Sequence, residues 1–292
     1  MLMLRLCAFA ALAFSLSAEP RTRAIYVSAV DRQGGFVTDL SARDFAIRES
    51  GKAGEVVSAE LTNAPMHIAL IVDDNGTGIF RYPAAQFISR LREQAQVSVT
   101  TVTGQPMRLV DYTSDLARLT DAVRQLGPRP STPDGGQLLS GIFEAADQLR
   151  KREAVRPIIV ALTVGGEEHS PIPAHQVLER LQQTGTSLHV VAVVGSVLRT
   201  TAAISKPSDL LEANMSLNEV LGDGPKQSGG RREEIVATVG PMNGLQRIAE
   251  DLLHQYRLVY ALPDGVRATG RVNVSSSRAG VSLRAPTRVP TR

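Results

Sequence analysis

Tryptophan is absent from this 292-residue chain, aromatic residues make up only 4% of it, and Cys7 is its single cysteine. Each shortage excludes something. So few aromatics argue against stacking platforms for sugars or bases. One cysteine excludes an internal disulfide framework and a thiolate metal site. Lysine is scarce too: Lys52, Lys151, Lys206 and Lys226 are the only ones among 32 basic residues, so arginine carries the positive charge. The basic residues nearly balance 29 acids, and the net charge of +3 is spread without a concentrated basic face, which speaks against nucleic-acid binding.

Long apolar runs are missing except at the start. Met1 to Arg5 is followed by an almost wholly apolar stretch from Leu6 to Leu16, then Ser17-Ala18-Glu19-Pro20. A cationic start, a short apolar core and small residues before a polar turn predict a secretory signal peptide over residues 1–18, so a secreted or periplasmic location is expected. The run is too short to span a bilayer as a helix, and nothing later approaches that length, so no membrane span is expected after cleavage. Cys7 leaves with the signal.

The most informative stretch that is present runs from Met66 to Thr77, Met-His-Ile-Ala-Leu-Ile-Val-Asp-Asp-Asn-Gly-Thr. A mostly apolar run ending in two carboxylates and an Asn-Gly pair predicts a buried parallel strand followed by a polar loop. In open α/β sheets ligands gather outside such strand ends. Asp73, Asn75 and Thr77 alternate, which would let three oxygen-bearing side chains converge in that loop.

Around this stretch the texture divides the chain. Residues 19–63 read as an N-terminal β segment, with strands at Ala24 to Val30, Phe45 to Glu49 and Val56 to Leu61 between glycine turns. Residues 64–263 alternate strands and helices: strand 66–72, helix 81–94, a strand pair at 97–102 and 107–110, helices 115–126 and 137–152, strand 157–163, helix 173–184 and strand 188–194. Residues 199–240 read as an irregular insertion with one helix near 208–221. Helix 243–255 and a strand from Tyr256 to Leu262 are then expected to close the α/β part. The tail, 264–292, alternates at Val272, Val274, Val281 and Leu283 and is expected to rejoin the N-terminal unit as β structure.

In this order the segments resemble a von Willebrand factor type A protein, and more closely the secreted bacterial "VWFA-related" family. Three motifs carry the likeness: Val37 to Lys52, with its Asp44-Phe45 lead-in; Ala69 to Thr77; and Gly244 to Pro263, with Gln255-Tyr256. Ser228-Gly-Gly-Arg231 is similar to a family turn. The resemblance implies a doubly wound, mainly parallel sheet, Rossmann-like, with a small flanking β unit from both chain ends. It also implies a metal-ion-dependent adhesion site of Asp-x-Ser-x-Ser, a threonine from a second loop and an aspartate after a core strand, which holds Mg²⁺.

Carried over by residue, Asp73 matches the first ligand, and Asn75 and Thr77 replace the serines. The second loop reads Gly135-Gly136-Gln137 instead of Gly-Gly-Thr, with Thr132 out of register, and Val164 stands where the aspartate is expected. Gln137 and Glu167 are possible helpers, with Glu168 beside them. The expectation is therefore a degenerate site in a non-enzymatic protein-binding module. Its contact surface would be loops 73–80, 128–137 and 164–172, and its protein partner is not named by the sequence. A functional Mg²⁺-dependent domain binding an acidic group is the alternative, and a hydrolase a distant one. A receiver domain would need an aspartate at the end of strand 157–163 and a lysine at the end of strand 188–194, and neither is there. The histidines lack metal-binding spacing, and no Gly-x-Ser-x-Gly elbow occurs.

Overall fold

The computed structural model describes residues 22–130, 135–193, 207–235, 240–263 and 270–291. The expected signal segment, Thr132, and parts of the 199–240 stretch and of the tail lie outside the described residues.

Among the described residues, two six-stranded sheets organise the fold. The first is built from β4 (Met66–Asp73), β5 (Ala95–Thr103), β6 (Gln105–Thr113), β7 (Arg156–Thr163), β8 (Ser187–Val193) and β9 (Arg232–Ile235), in the order β6-β5-β4-β7-β8-β9. All pairs are parallel except β5 with β6, a hairpin joined at Gly104. The central strands are apolar on both faces because both are covered. In β4, Ile68, Leu70 and Val72 enter one core while Ala69 and Ile71 enter the other. Helices α1 (Arg81–Leu91), α2 (Leu116–Arg124) and α6 (Gly240–Leu253) cover the first face, and α3 (Leu138–Lys151), α4 (Ala174–Thr184) and α5 (Pro207–Ser228) the second. Each fully buried Leu or Ile there contributes about 1.5–3 kcal/mol.

The second sheet is antiparallel and draws on both chain ends. Its strands β1 (Thr22–Val30), β2 (Phe45–Glu49), β3 (Lys52–Leu61), β10 (Gln255–Ala261), β11 (Val272–Ser276) and β12 (Ser282–Arg284) take the order β11-β2-β3-β10-β1-β12. The lead-in motif is structural here. Ser41 donates from its backbone and its hydroxyl to Asp44 Oδ2 at 2.8 and 2.7 Å, which aims Phe45 and Ile47 into this sheet's own core.

Two expectations need correction. The Tyr256 strand does not close the α/β sheet; it pairs with β1 and β3 in the antiparallel one. Its alternation gives the reason: Arg257 is exposed and Val259 half-buried while Tyr256, Leu258 and Tyr260 are buried, so only one face is covered. The α/β sheet ends instead on β9, inside the stretch expected to be irregular. That stretch also holds α5, longer than expected, which buries Leu217, Val220 and Leu221 against the second face. Its glycines obscured it. A Cβ at Gly230 would lie 1.9 Å from the carbonyl oxygen of Leu188, so the chain must have glycine to pass β8 there.

Candidate functional site

At the carboxyl ends of β4 and β7 three loops meet. β4 delivers Asp73, whose Oδ2 accepts a hydrogen bond from the Thr163 hydroxyl at the end of β7, at 2.9 Å. A Cβ at Gly136 would lie 3.3 Å from Asp73 Oδ1, so the second loop closes directly over this carboxylate. Asp73 keeps part of its surface open, yet crowding by the loops dominates: loss of water pushes its carboxyl up to about 7, and nearby Glu168 and Asp74 push the same way against the Thr163 bond.

Asp74 points elsewhere and is fully buried. Its Oδ1 accepts from the backbone N–H of Gly76 at 3.1 Å and from Arg129 Nη2 at 3.2 Å, and its Oδ2 from Gly78 N–H at 2.8 Å. Thr77 N–H donates to Asp74 O at 3.0 Å, closing a tight turn with Asn75 and Gly76 at φ 47° and 78°. Both central residues are left-handed, the type I′ pattern that Asn-Gly favours. The turn interrupts the alternation expected of the loop: Asn75 is half-buried in it, and Thr77 is exposed, its hydroxyl accepting from Ile79 N–H at 3.4 Å. A Cβ at Gly76 would stand 2.4 Å from the Arg129 carbonyl oxygen, so the first and second loops touch through glycine.

Glu168 is the third buried carboxylate. Its Oε2 accepts from the N–H groups of Leu138 and Leu139 at 3.0 and 3.4 Å, and its Oε1 from Ser170 N–H at 2.8 Å. It thus caps the start of α3 from another loop, where the helix has free N–H groups and a favourable dipole. Burial still raises its carboxyl above the usual range. Gln137, just ahead of α3, uses its backbone N–H on Gly104 O at 2.8 Å. Glu167 lies next to His169, Oε2 to Nε2 3.2 Å, and its carbonyl accepts from Gly136 N–H at 2.9 Å. Val164 is 1% exposed, its side chain in the first core.

The structure therefore brings Asp73, Gly136 and Thr163 together and puts Asp74, Arg129 and Glu168 around them. Sequence reasoning did not single out Thr163 as a partner of Asp73, nor Arg129. Arg129 follows from no local pattern; its place depends on the Gly127-Pro-Arg-Pro130 loop crossing β5, where Nη2 also donates to the Thr101 hydroxyl at 2.6 Å. Among the described residues, no group of three or more histidine, cysteine or acidic side chains is arranged to hold a metal ion.

The architecture is that of a von Willebrand factor type A domain. The structure of proximal thread matrix protein 1 from the mussel byssus, with a zinc-occupied MIDAS motif, is similar over 70% of this chain and 50% of that one, with a TM-score of 0.50 and 12% identity. The chain thus spans about half the length of that protein. A von Willebrand factor type A protein from Catenulispora acidiphila matches over 87% and 76%, with a TM-score of 0.45 and 12% identity. The vWF domain of the type V pili tip protein Mfa5 from Porphyromonas gingivalis matches over 65% and 95%, at 0.44 and 11%. At such identities the likeness is one of fold. No protein-family model and no curated protein sequence matches the chain.

Proposed function

We propose that the chain is a non-enzymatic protein-binding module, exported by its N-terminal segment, whose apex loops contact a partner protein without a bound metal. The observation that carries this reading is how the apex carboxylates are used. Both oxygens of Asp74 and of Glu168 already accept hydrogen bonds, and Asp73 has one oxygen engaged by Thr163. A hard dication needs several negative or strongly polar oxygens free to turn toward it. Here one carboxylate is offered, with the Arg129 guanidinium close enough to act on it and on Asp74. The residues present do not fit a tightly held Mg²⁺, and Asn75, Thr77, Gln137 and Glu167 add no carboxylate to Asp73 other than that of Glu167, which faces His169.

The experiment is calorimetric titration of Mg²⁺, Mn²⁺ and Zn²⁺ into the metal-stripped protein, with Asp73→Ala as control. No saturable heat is expected for Mg²⁺ or Mn²⁺ in either protein. Saturable binding at micromolar to low-millimolar concentration that disappears in Asp73→Ala overturns the reading in favour of a metal-dependent adhesion site.

A further inference from the structure

A fixed cation sits among the apex acids. Arg129 stands between Pro128 and Pro130 in the second loop, where the proline rings narrow its backbone choices. Its N–H donates to Gly76 O at 2.9 Å, and a Cβ at Gly78 would lie 2.9 Å from Pro128, so this backbone is locked against the first loop. The side chain then turns inward. Its Nη2 donates to Asp74 Oδ1 at 3.2 Å and to the buried Thr101 hydroxyl at 2.6 Å. Nε and Nη1 are buried with no hydrogen-bond partner among the described residues, so hydrogen bonding alone does not account for the position of the group.

Charge does. Asp74, fully buried, is its ion-pair partner. The same guanidinium acts on Asp73: loss of water raises that carboxyl, and Arg129 pulls the other way alongside the Thr163 bond. Glu168 adds its charge to the cluster.

A guanidinium and a divalent ion are rivals for such a set of acids. Arginine does not shed its proton in a protein. Arg129 also cannot swing away without leaving the Asp74 carboxylate buried and unpaired, which is strongly unfavourable. A dication approaching Asp73 therefore meets a positive charge that neither deprotonates nor yields. The partners of Nη2, one carboxylate and one threonine hydroxyl, are oxygens of the kind a hard cation would otherwise use.

Building on the metal-free reading of the apex, on which this depends, we infer that Arg129 is the built-in cation of these loops: it takes the charge role of a divalent ion and excludes metal from Asp73. Without the arginine charge, the same acids are expected to accept a divalent ion at Asp73.

The test is calorimetric titration of Mn²⁺ and Mg²⁺ into the metal-stripped full chain, as the parent, Arg129→Gln, Arg129→Lys and the double variant Arg129→Gln with Asp73→Asn. Glutamine keeps an amide donor for Asp74 without the charge, and lysine keeps the charge without the fork. Arg129→Gln is expected to gain saturable Mn²⁺ binding, at least tenfold tighter than any response of the parent or of Arg129→Lys. The double variant is expected to lose it. A parent and an Arg129→Gln that are both blind to metal overturn the proposal and leave the metal-free reading standing. Saturable binding by the parent that is lost in Asp73→Ala overturns both. Equal binding by Arg129→Lys and Arg129→Gln, or binding that survives Asp73→Asn, also overturns the role given to Arg129. If Arg129→Gln does not fold in metal-free buffer, its circular dichroism in millimolar Mn²⁺ decides: a native spectrum that EDTA abolishes supports the proposal, and no recovery overturns it.

Discussion

The two ends of the α/β sheet differ in the charged groups they enclose, three crowded acids at one and Arg156 at the other. At the carboxyl ends of the strands three acids crowd together, and the chain consumes them itself: backbone N–H groups and Arg129 on Asp74, the α3 terminus on Glu168, Thr163 on Asp73. At the amino ends the buried group is a cation, Arg156, whose Nε and Nη1 have no partner among the described residues, as is also true of Arg129 at the apex. The difference teaches that the position of a ligand site in this fold class does not settle whether the site is still available. What matters is whether buried charges have been satisfied from within. By that measure the oxygens of Asp74 and Glu168 are satisfied from within, while among the described residues one arginine at each end, Arg129 and Arg156, keeps buried N–H groups without partners.

The strongest way to break this contrast is Asp74→Ala. If Asp74 serves the loop, its loss strands the Arg129 guanidinium and the N–H groups of Gly76 and Gly78, and stability should fall by about 3–5 kcal/mol, read by urea unfolding. A loss below about 1 kcal/mol would show that the acid is not structurally engaged.

Acid titration sharpens the other side. His189, fully buried near Asp251 and Arg156, accepts from Arg231 N–H on Nδ1, and burial holds its imidazole down at about 4. The unfolded chain then binds a proton below its ordinary value near 6.5 that the folded chain refuses. Stability from this group is complete above that pH and is lost as pH falls toward 4, by roughly 2–3 kcal/mol. His189→Asn retains an acceptor for Arg231, so its unfolding free energy should lose less between pH 6.5 and 4 than the parent's. Equal slopes would place the acid sensitivity elsewhere.

The smallest effect is expected at Thr77. It is exposed and accepts only a long bond from Ile79 N–H, so Thr77→Ala should change stability by no more than about 0.5 kcal/mol. It should also leave divalent-ion titrations unchanged; a metal response that vanished in this variant would restore Thr77 as a ligand and undo the contrast between the ends.

Much of the architecture was legible because its signals are local. The apolar run before Asp73 and that of Pro157 to Thr163 could only be strands covered on both faces, and alternation at Val272, Val274, Val281 and Leu283 was enough to predict a β tail. The Asn-Gly pair marked a polar loop though not its tight turn, and the scarcity of lysine and the lack of tryptophan and paired cysteines narrowed the chemistry from the outset. Tertiary structure alone decided the rest. Which sheet takes the Tyr256 strand depends on partners more than 190 residues away, Glu55 to Leu61 and Thr22 to Ser28. That β9 rather than β10 forms the edge depends on glycine passing close to Leu188. Above all, the charge balance of each end was invisible in the chain. Periodicity reports which residues are buried, but the partners that neutralise a buried charge come from distant parts of the chain, as Arg129 does for Asp74 and Arg284 for Asp251.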